Sequence, residues 1–273
     1  MAINYAQKYS SKVDERFTQS SLTQAAFNQD YDWEGVNTIN VYSIDTAPLS
    51  DYSMTGANRY GTPDELGDTT QTMTLSQDKA FTFTIDRRNY LDTQMTKEAG
   101  KALNRQLSEI VIPEVDKYRI SKLVAGAGNT SAVTAITSAN AYESFLDGVT
   151  KVLDSKAPLA GTFAFISPSF YKYIRLDASF IKNGDLSQNM LVNGQVGMIE
   201  SIPLIFAPSI YFPTGVEFVI TNKIAAVAAQ KIDTYRIHQD PPGLNGWLAE
   251  GRIYHDAFVL NNKANAIYAH KSA

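Results

Sequence analysis

Histidine and acidic side chains are the residues of this sequence that could carry out acid–base chemistry or bind a metal ion. The three histidines, His238, His255 and His270, lie 17 and 15 residues apart, without the short helical spacings through which zinc enzymes place two histidines on one ion. We therefore interpret them as three unrelated surface or half-buried imidazoles. An acid–base site built from Asp233, His238 and Asp256 in a soluble α/β enzyme stays open as an alternative.

Glycine-rich and nucleophile motifs give no stronger indication of an enzyme. Gly126 and Gly128 begin a dinucleotide-binding pattern, but Ser131 stands where the third glycine is required, and no predicted strand precedes them. The sequence has no Gly-Lys-Ser/Thr phosphate loop and no nucleophile elbow. We therefore predict a protein that is not an enzyme and needs no cofactor.

Cysteine usage and the acidic residues exclude further kinds of site. The chain has no cysteine, so disulfides, thiolate nucleophiles and cysteine-ligated zinc are excluded. Asp64, Glu65 and Asp68 lie close together, but they lack the alternating ligand spacing of a calcium-binding loop. We interpret them as solvated charges on a loop, and the sequence predicts no metal site.

Charge and hydropathy limit where the protein works and what it binds. The formal net charge is −4, whereas a protein that wraps nucleic acid needs many clustered Lys and Arg side chains. The first 20 residues have no apolar core of signal-peptide length, and no later run is long enough to span a membrane. We therefore expect a protein that is made in a reducing cytoplasm and binds no membrane. If it encloses nucleic acid, it does so as the wall of a container.

The element that organises the chain is a long helix predicted over 93–125, with Asp92 or Thr93 as its N-cap. Its apolar residues recur every fourth position and so share one face. They are Met95, Ala99, Leu103 and Leu107, followed by Ile110 and Val111. Pro113 removes a backbone donor and clashes with the preceding turn, so we expect a kink or two successive helices.

Two strand patterns precede this helix and enclose a long polar stretch. Residues 36–44 are rich in β-branched residues, and a second run places apolar side chains and threonines on alternate positions. The apolar members of this second strand are Met73, Leu75, Phe81, Phe83 and Ile85. Residues 45–71 show almost no apolar periodicity, and such a long connection is uncommon in a compact domain. We therefore predict a long hairpin with a polar tip that lies across another copy of the chain.

The N-terminal residues 1–30 are polar. Val13 and Phe17 are weak helical anchors, and Leu22 and Phe27 lie in a Gln/Ser/Thr-rich segment at 18–29. Such a segment buries little apolar surface by itself, so it is either a frayed terminus or an arm that becomes ordered on a neighbouring molecule.

An α/β region and a strand-rich tail follow the long helix. Residues 140–155 match helical spacing at every apolar position, and Asn140 with Glu143 forms a capping-box pattern. Ser167 followed by Pro168 predicts the start of a further helix. Strands are predicted at 162–166, 198–207, 216–221, 233–238, 252–260 and 266–270, with a turn at 240–246.

The order of these parts resembles that of the major capsid (coat) proteins of tailed bacteriophages, whose Hong Kong 97-like fold is shared by encapsulins. The amino-acid sequences of residues 78–86 (DKAFTFTID) and 235–259 (YRIHQDPPGLNGWLAEGRIYHDAFV) are also similar to segments of coat proteins of this kind. The resemblance covers essentially the whole chain and implies an α+β fold with five parts. These are an N-terminal arm at 1–34, an extended β-hairpin loop at 35–90, the spine helix of a peripheral domain at 91–126, an axial domain at 127–221 and peripheral-domain strands at 222–273.

The resemblance further implies a structural protein whose hexamers and pentamers form an icosahedral shell around phage double-stranded DNA, without sequence-specific binding. A separate scaffolding protein and a portal at one vertex are the implied partners, in a virion that assembles in the host bacterial cytoplasm. Whether a decoration protein also binds stays open. The implied inter-subunit contacts on the extended loop are Met73, Leu75, Phe81, Phe83, Ile85, Arg59 and Tyr60. Those on the N-terminal arm are Val13, Phe17, Leu22 and Phe27.

Some relatives crosslink their subunits through isopeptide bonds from a lysine on the extended loop. Residues 54–70 of this sequence carry only Arg59 as a basic residue, and Lys79 lies poorly placed further along the strand. We therefore predict no covalent crosslinks. The alternative function within the same fold is an encapsulin-like compartment that encloses a cargo enzyme.

Overall fold

The computed structural model describes residues 21–31, 33, 37–63, 65–92, 99–177 and 195–272, which contain three β-sheets and several helices. The sheets have two, three and six strands. This mixture of helices and sheets confirms the predicted α+β class.

The two-stranded sheet is an antiparallel hairpin of β1 (Thr38–Ile44) and β2 (Asp68–Thr74). β1 confirms the strand predicted at 36–44. The single strand predicted across Met73 and Ile85 is wrong, because the chain bends at Ser76 and continues as β3 (Gln77–Asp86) in a different sheet. The Ser76 backbone N–H donates to the Asp256 carboxylate over 2.9 Å, and this bond holds the bend.

The three-stranded sheet consists of β3, β9 (Ala226–Gln239) and β10 (Gly246–Val259), with β10 in the centre. Both late strands are longer than the predicted 233–238 and 252–260. The predicted turn between them is present and is closed by the Asp240 N–H, which donates to the Gly246 carbonyl over 2.7 Å.

Four helical segments among the described residues lie in or before the region of the predicted long helix. They are α1 (Arg87–Asp92), α2 (Ala99–Gln106), a π-helical turn (Leu107–Val111) and α3 (Ile112–Ala125). We use the name spine helix for residues 99–125. Helical structure already starts at Arg87, ahead of the predicted helix, where the Asp86 carboxylate accepts the Arg88 N–H over 2.9 Å. Asp92 is the last residue of α1, whereas Thr93 and Met95 lie outside the described residues, so the predicted N-cap stays a prediction.

The predicted interruption at Pro113 takes the form of a change in helix type. Pro113 lies in the first turn of α3, directly after the π-helical turn. A proline at this position leaves the preceding carbonyls without their usual partner, and the wider i→i+5 pattern of a π-helix accommodates the mismatch.

The six-stranded sheet contains strands from most of the second half of the chain. They are β4 (Asn129–Thr130), β5 (Thr162–Ile166), β6 (Gln195–Ile199), β7 (Ile202–Phe206), β8 (Val216–Asn222) and β11 (Ile267–Lys271), in the spatial order β4-β11-β8-β5-β7-β6. The interval 222–273 therefore contributes strands to two sheets: β9 and β10 to one, and β11 to the other.

Helices cover both faces of the six-stranded sheet. On one face, α4 (Ala141–Asp154) and α5 (Pro168–Leu176) pack Phe145 and Phe170 against Phe218 of β8. On the other face, Ile120 and Leu123 of α3 enter a core that also contains alternate residues of β5, β8 and β11. Because neighbouring residues of a strand point to opposite faces, each central strand contributes to both cores.

Two local predictions in this region are wrong and one is confirmed. The strand predicted at 198–207 is the hairpin of β6 and β7, turned by Glu200 and Ser201, which both have positive φ. Asn140 does not form a capping box, because its side-chain oxygen accepts the Thr137 N–H over 2.7 Å. Ser167 caps α5 as predicted and accepts the N–H of the third helical residue over 3.1 Å.

Candidate interaction surfaces

The three histidines lie in three different places. His238 on β9 is exposed, with its Nε2 atom 3.3 Å from the Glu250 carboxylate. His255 on β10 is buried with its ring edge-on to Tyr118, and His270 on β11 is buried in the six-stranded sheet. Among the described residues, no group of three or more histidine and acidic side chains could hold a metal ion.

Burial lowers the pKa of both interior histidines. For His255 the lowering comes first from burial and then from the positive charge of Arg119. The pKa of His270 is lowered by burial and partly restored by its hydrogen bond to the Thr134 carbonyl, at 3.0 Å. Both rings therefore pack as neutral groups, and His270 stacks on Phe218 with ring centroids 5.0 Å apart.

The acid–base site considered for Asp233, His238 and Asp256 does not form. Asp256 pairs with Ala229 of β9, and His238 lies nine residues further along that strand, which corresponds to about 30 Å. Asp256 is also buried, with hydrogen bonds to Ser76. The structure does not bring the three side chains together.

The hairpin tip, residues 45–67, exposes most of its large apolar side chains. Those with the largest exposed fractions are Leu49, Met54, Tyr60, Leu66 and Tyr52. The tip has internal hydrogen bonds from the Ser53 N–H to the Arg59 carbonyl over 2.9 Å and from the Ser50 hydroxyl to the Tyr60 carbonyl over 2.7 Å. Tyr52 and Tyr60 contact edge to face at 5.0 Å. The tip is thus a structured loop that presents apolar and aromatic groups to its surroundings.

The hairpin is fixed to its own subunit by Gln71, which lies in the middle of β2 opposite Val41. Its side-chain amide donates to the Val259 carbonyl over 2.8 Å, and its side-chain oxygen accepts the Asn261 N–H over 2.9 Å. Asn262 and Ser43 form a further side-chain hydrogen bond nearer the tip. These bonds join both hairpin strands to the end of β10 and the residues that follow it, so they set the direction of the hairpin.

The predicted extended-loop contact residues fall into three groups. Met73, Leu75 and Ile85 are buried in the core of their own subunit, with 0%, 4% and 7% exposure, so their side chains have almost no surface to offer a neighbour. Phe81 and Phe83 are half-buried on β3. Arg59 and Tyr60 lie exposed at the hairpin tip.

The half-buried phenylalanines belong to an aromatic row on the three-stranded sheet. Phe81 stacks on Phe83 at 6.4 Å and on Tyr235 at 6.1 Å. Gly251 of the central strand lies opposite both Phe81 and Tyr235, and a Cβ atom there would come within 2.4 Å of the Phe81 ring. The missing side chain of Gly251 therefore makes the space that the rings fill.

A cleft of about 200 Å³ separates this sheet from the spine helix. The sheet side of the cleft includes Lys79, Phe81 and His255, and the helix side includes Ile110 and Val115. Lys79 therefore lies beside the spine helix, away from the hairpin tip, and the absence of crosslinks stays a prediction.

The first half of the spine helix buries its predicted apolar face only in part. None of the α2 side chains is fully buried, Leu103 and Leu107 are half-buried, and Ile110 in the π-helical turn is 48% exposed. In α3, by contrast, Val115, Ile120 and Leu123 are buried. The helix is thus fully packed within the subunit only towards its C-terminal end.

Two of the predicted N-terminal arm contacts lie in the core of their own subunit. Leu22 is 8% exposed and Phe27 is 1% exposed, and both belong to the same hydrophobic core as Ile120 and Leu123 of the spine helix. For these two residues the expectation of a free arm is wrong. Val13 and Phe17 lie outside the described residues.

Sequence reasoning missed two polar residues that connect parts of the chain, Gln71 in β2 and the buried Asp116 in α3. It considered the buried Asp256 of β10 only as an acid–base group and missed its connecting role. Asp116 had a detectable signal, because it lies four residues before Ile120 on the apolar face of the helix, where a charge needs a partner. Gln71 had none, since its partners are distant in sequence.

No helix in the described part of the chain is long and apolar enough to cross a membrane.

Solved structures similar to this chain come from phages, and the likeness extends over nearly the whole length. A chain from a structure of Mycobacterium phage Che8 matches with a TM-score of 0.75 and 15% identity, covering 97% of this chain and 96% of that one. A chain from the capsid structure of cyanophage P-SCSP1u matches with a TM-score of 0.73 and 11% identity, covering 98% and 93%. A chain from the mature capsid of bacteriophage PhiM1 matches with a TM-score of 0.71 and 12% identity, covering 99% and 92%.

No protein-family model matches the sequence, and no curated protein matches it significantly. At these identities the likeness is one of fold: the chain has the fold of chains found in phage capsids.

Proposed function

We propose that this chain is the major capsid protein of a tailed bacteriophage and that it self-assembles as hexamers and pentamers into an icosahedral shell around double-stranded DNA. The observation that carries the proposal is the hairpin, which is fixed to its subunit by Gln71 and exposes an apolar tip. Apolar groups held out on a structured projection are stabilised by a second molecule, and a shell supplies one at every position.

The similarity to phage capsid chains over nearly the whole length supports this function, because every part of the chain then has a counterpart in a shell subunit. In Hong Kong 97-like terms, residues 35–90 are the extended loop and 91–126 the spine helix. Residues 127–221 are the axial domain, and 222–273 supply peripheral-domain strands. In this assignment β11 returns to the axial sheet.

The inter-subunit contacts are carried by the exposed part of the predicted set. On the extended loop these are Arg59 and Tyr60 at the tip, with Phe81 and Phe83 beside the spine helix. In the N-terminal arm they are Val13 and Phe17 alone. Met73, Leu75, Ile85, Leu22 and Phe27 support the contacts indirectly, through the core of the subunit.

The shell encloses its DNA without reading its sequence. A net charge of −4 gives the chain little means of binding phosphates by counterion release. The work of the protein is therefore assembly, in which many weak contacts around each subunit add up. A separate scaffolding protein, a portal at one vertex and a decoration protein complete the virion, which assembles in the host bacterial cytoplasm.

Expression of the chain with and without its phage's scaffolding protein tests the proposal. Size-exclusion chromatography and negative-stain electron microscopy of the purified protein should show closed particles of virus-head size. A monomer or small oligomer under both conditions would contradict the proposal, and uniform small compartments loaded with a cargo enzyme would instead indicate an encapsulin-like function. Boiling the particles in detergent should release monomers, as expected for subunits without isopeptide crosslinks.

A further inference from the structure

The N-terminal segment 21–28 meets the spine helix at one buried carboxylate. Asp116 is 1% exposed, and its oxygens accept three hydrogen bonds. The donors are the Ser21 hydroxyl at 2.9 Å, the Leu22 backbone N–H at 2.8 Å and the Thr23 hydroxyl at 2.6 Å. These three donors are consecutive residues of the same segment.

Arg119 provides the opposite charge one turn further along the helix. It is 6% exposed, donates to the Thr23 hydroxyl over 3.2 Å and lies over the Phe27 ring at 5.7 Å. Burial lowers the pKa of Arg119, and the nearby Asp116 charge offsets part of that effect. The two charges therefore compensate each other, and both contact the same segment.

The far end of the segment is fixed to the three-stranded sheet. The Asn28 N–H donates to the Ala226 carbonyl over 2.8 Å, and the Asn28 carbonyl accepts the Ala228 N–H over 2.9 Å. Between the two ends, Leu22, Ala26 and Phe27 are buried in the core. Residues 21–28 thus bridge the spine helix and the start of β9 within one subunit.

Apolar burial alone does not fix the position of such a segment along the helix, because neighbouring apolar side chains can exchange places at small cost. A buried carboxylate with three donors is more selective, since a shift by one residue would remove at least one hydroxyl donor from the buried charge and would move Leu22 out of its place in the core. Asp116 therefore determines which residue of the N-terminal segment contacts the helix.

We propose that Asp116 is a positioning residue for assembly. It fixes Ser21 as the point at which the N-terminal arm leaves its own subunit. Within the arm, only residues 1–20 then reach neighbouring copies. This inference rests on the proposed shell function. It divides the arm predicted at 1–34 into an anchor on its own subunit and a free contact segment.

Hydrogen exchange of the unassembled subunit tests the anchor independently of assembly. In Asp116→Asn, an amide N–H replaces one acceptor, and the Leu22 and Thr23 amides should exchange roughly 10- to 100-fold faster, with exchange in α4 and β8 unchanged. Ser21→Ala/Thr23→Val removes two donors without altering the helix and should give a smaller increase in the same segment. Asp154→Asn, at the exposed end of α4, is the matched control.

A purely structural role of Asp116 would raise exchange throughout the subunit in proportion to the lost stability, and this outcome would overturn the proposal. Deletion of residues 1–20 should leave the protection of segment 21–28 unchanged, because the described anchor contacts begin at Ser21. Loss of protection in that deletion variant would also contradict it.

Electron microscopy of the same proteins connects the anchor to assembly. The wild type and Asp154→Asn should form closed particles, whereas Asp116→Asn should form at most a tenth as many, with irregular products. If wild-type particles do not form, the shell function fails and the exchange result still stands by itself. If Asp116→Asn forms particles as the wild type does, Asp116 has no role in positioning the arm.

Discussion

The hydroxyl of Tyr118 donates a hydrogen bond to the buried carboxylate of Asp256 over 2.8 Å, and this bond joins the spine helix to the central strand β10. The other oxygen of Asp256 accepts the hydroxyl and backbone N–H of Ser76 over 2.7 and 2.9 Å. Lys122 lies 3.9 Å away. One carboxylate therefore connects the helix, the three-stranded sheet and the bend where the hairpin ends.

Tyr118→Phe should lower the free energy of unfolding by about 1.5–3 kcal/mol, because it removes one hydrogen bond to a buried charged acceptor. Urea unfolding of the unassembled subunit measures the change. Tyr171→Phe is the control, since the Tyr171 ring packs edge-on against Phe206 and its hydroxyl has no buried carboxylate acceptor among the residues that the structure describes. Equal unfolding midpoints for the two variants would contradict the prediction.

Tyr60→Ser and Met73→Ala should have opposite effects on assembly and stability. Tyr60 is 86% exposed, so its replacement should leave unfolding unchanged and reduce particle yield. Met73 is fully buried, so its truncation should lower the free energy of unfolding by about 2–5 kcal/mol. Urea unfolding and particle counts by electron microscopy measure both effects. A large stability loss in Tyr60→Ser would mean that the tip packs within its own subunit.

Gly251→Ala should lower the free energy of unfolding by about 1–3 kcal/mol, because the new Cβ overpacks the aromatic row. It would lie 2.4 Å from the Phe81 ring and 2.8 Å from the Tyr235 ring. Gly251→Ala/Phe81→Leu should recover part of the loss when measured by urea unfolding. Gly100→Ala in α2 meets nothing within 4 Å and should stabilise the subunit slightly, by about 0.5–1 kcal/mol. A neutral Gly251→Ala would show that the row adjusts freely.

Stability should fall as the pH drops below about 6.5, because His255 and His270 have lowered pKa values in the folded subunit. As the pH falls, the unfolded chain takes up protons at these histidines before the folded subunit does. The stability that the two neutral histidines contribute is therefore complete above their pKa in the unfolded chain, and it is lost as the pH falls towards their lower pKa in the folded subunit. Each histidine contributes at most about 1.4 kcal/mol per pH unit. Urea midpoints between pH 7.5 and 5.5 should change less in His255→Gln and His270→Gln than in His238→Gln. Identical pH profiles in all three variants would disprove the assignment.

Elements with strong local patterns were predictable from the sequence. The helix α4 follows from apolar spacing between Tyr142 and Val152, and the start of α5 follows from Ser167 and Pro168. Strands such as β5 and β8 follow from short apolar runs between turns. In each case the information lies within one segment.

The wrong predictions depend on contacts that are distant in sequence. Apolar and polar residues alternate in the same phase before and after the bend at Ser76, which a hydrogen bond to Asp256 holds. The sequence pattern alone therefore predicts one strand. The burial of Leu22 depends on Asp116, which belongs to a helix far along the chain. The turn at Glu200 and Ser201 has positive φ without glycine or asparagine, and tertiary pairing of β6 with β7 overrides local preference.

For the interaction surfaces, the sequence predicted that a hairpin projects but not which of its residues project. Tyr60 and Met73 are both apolar members of the same hairpin, and only packing against Trp33 and Leu260 separates the buried one from the exposed one. Apolar character is therefore insufficient to identify a contact residue.

The position of β11 has a consequence for the timing of synthesis. In the six-stranded sheet this strand lies between β4 and β8, although the ribosome makes it after every other strand of the sheet. A nascent chain therefore keeps a gap in that sheet until residues 267–271 emerge. The cores on the two faces of the sheet are therefore complete only once Ala269 and Tyr268 have been made.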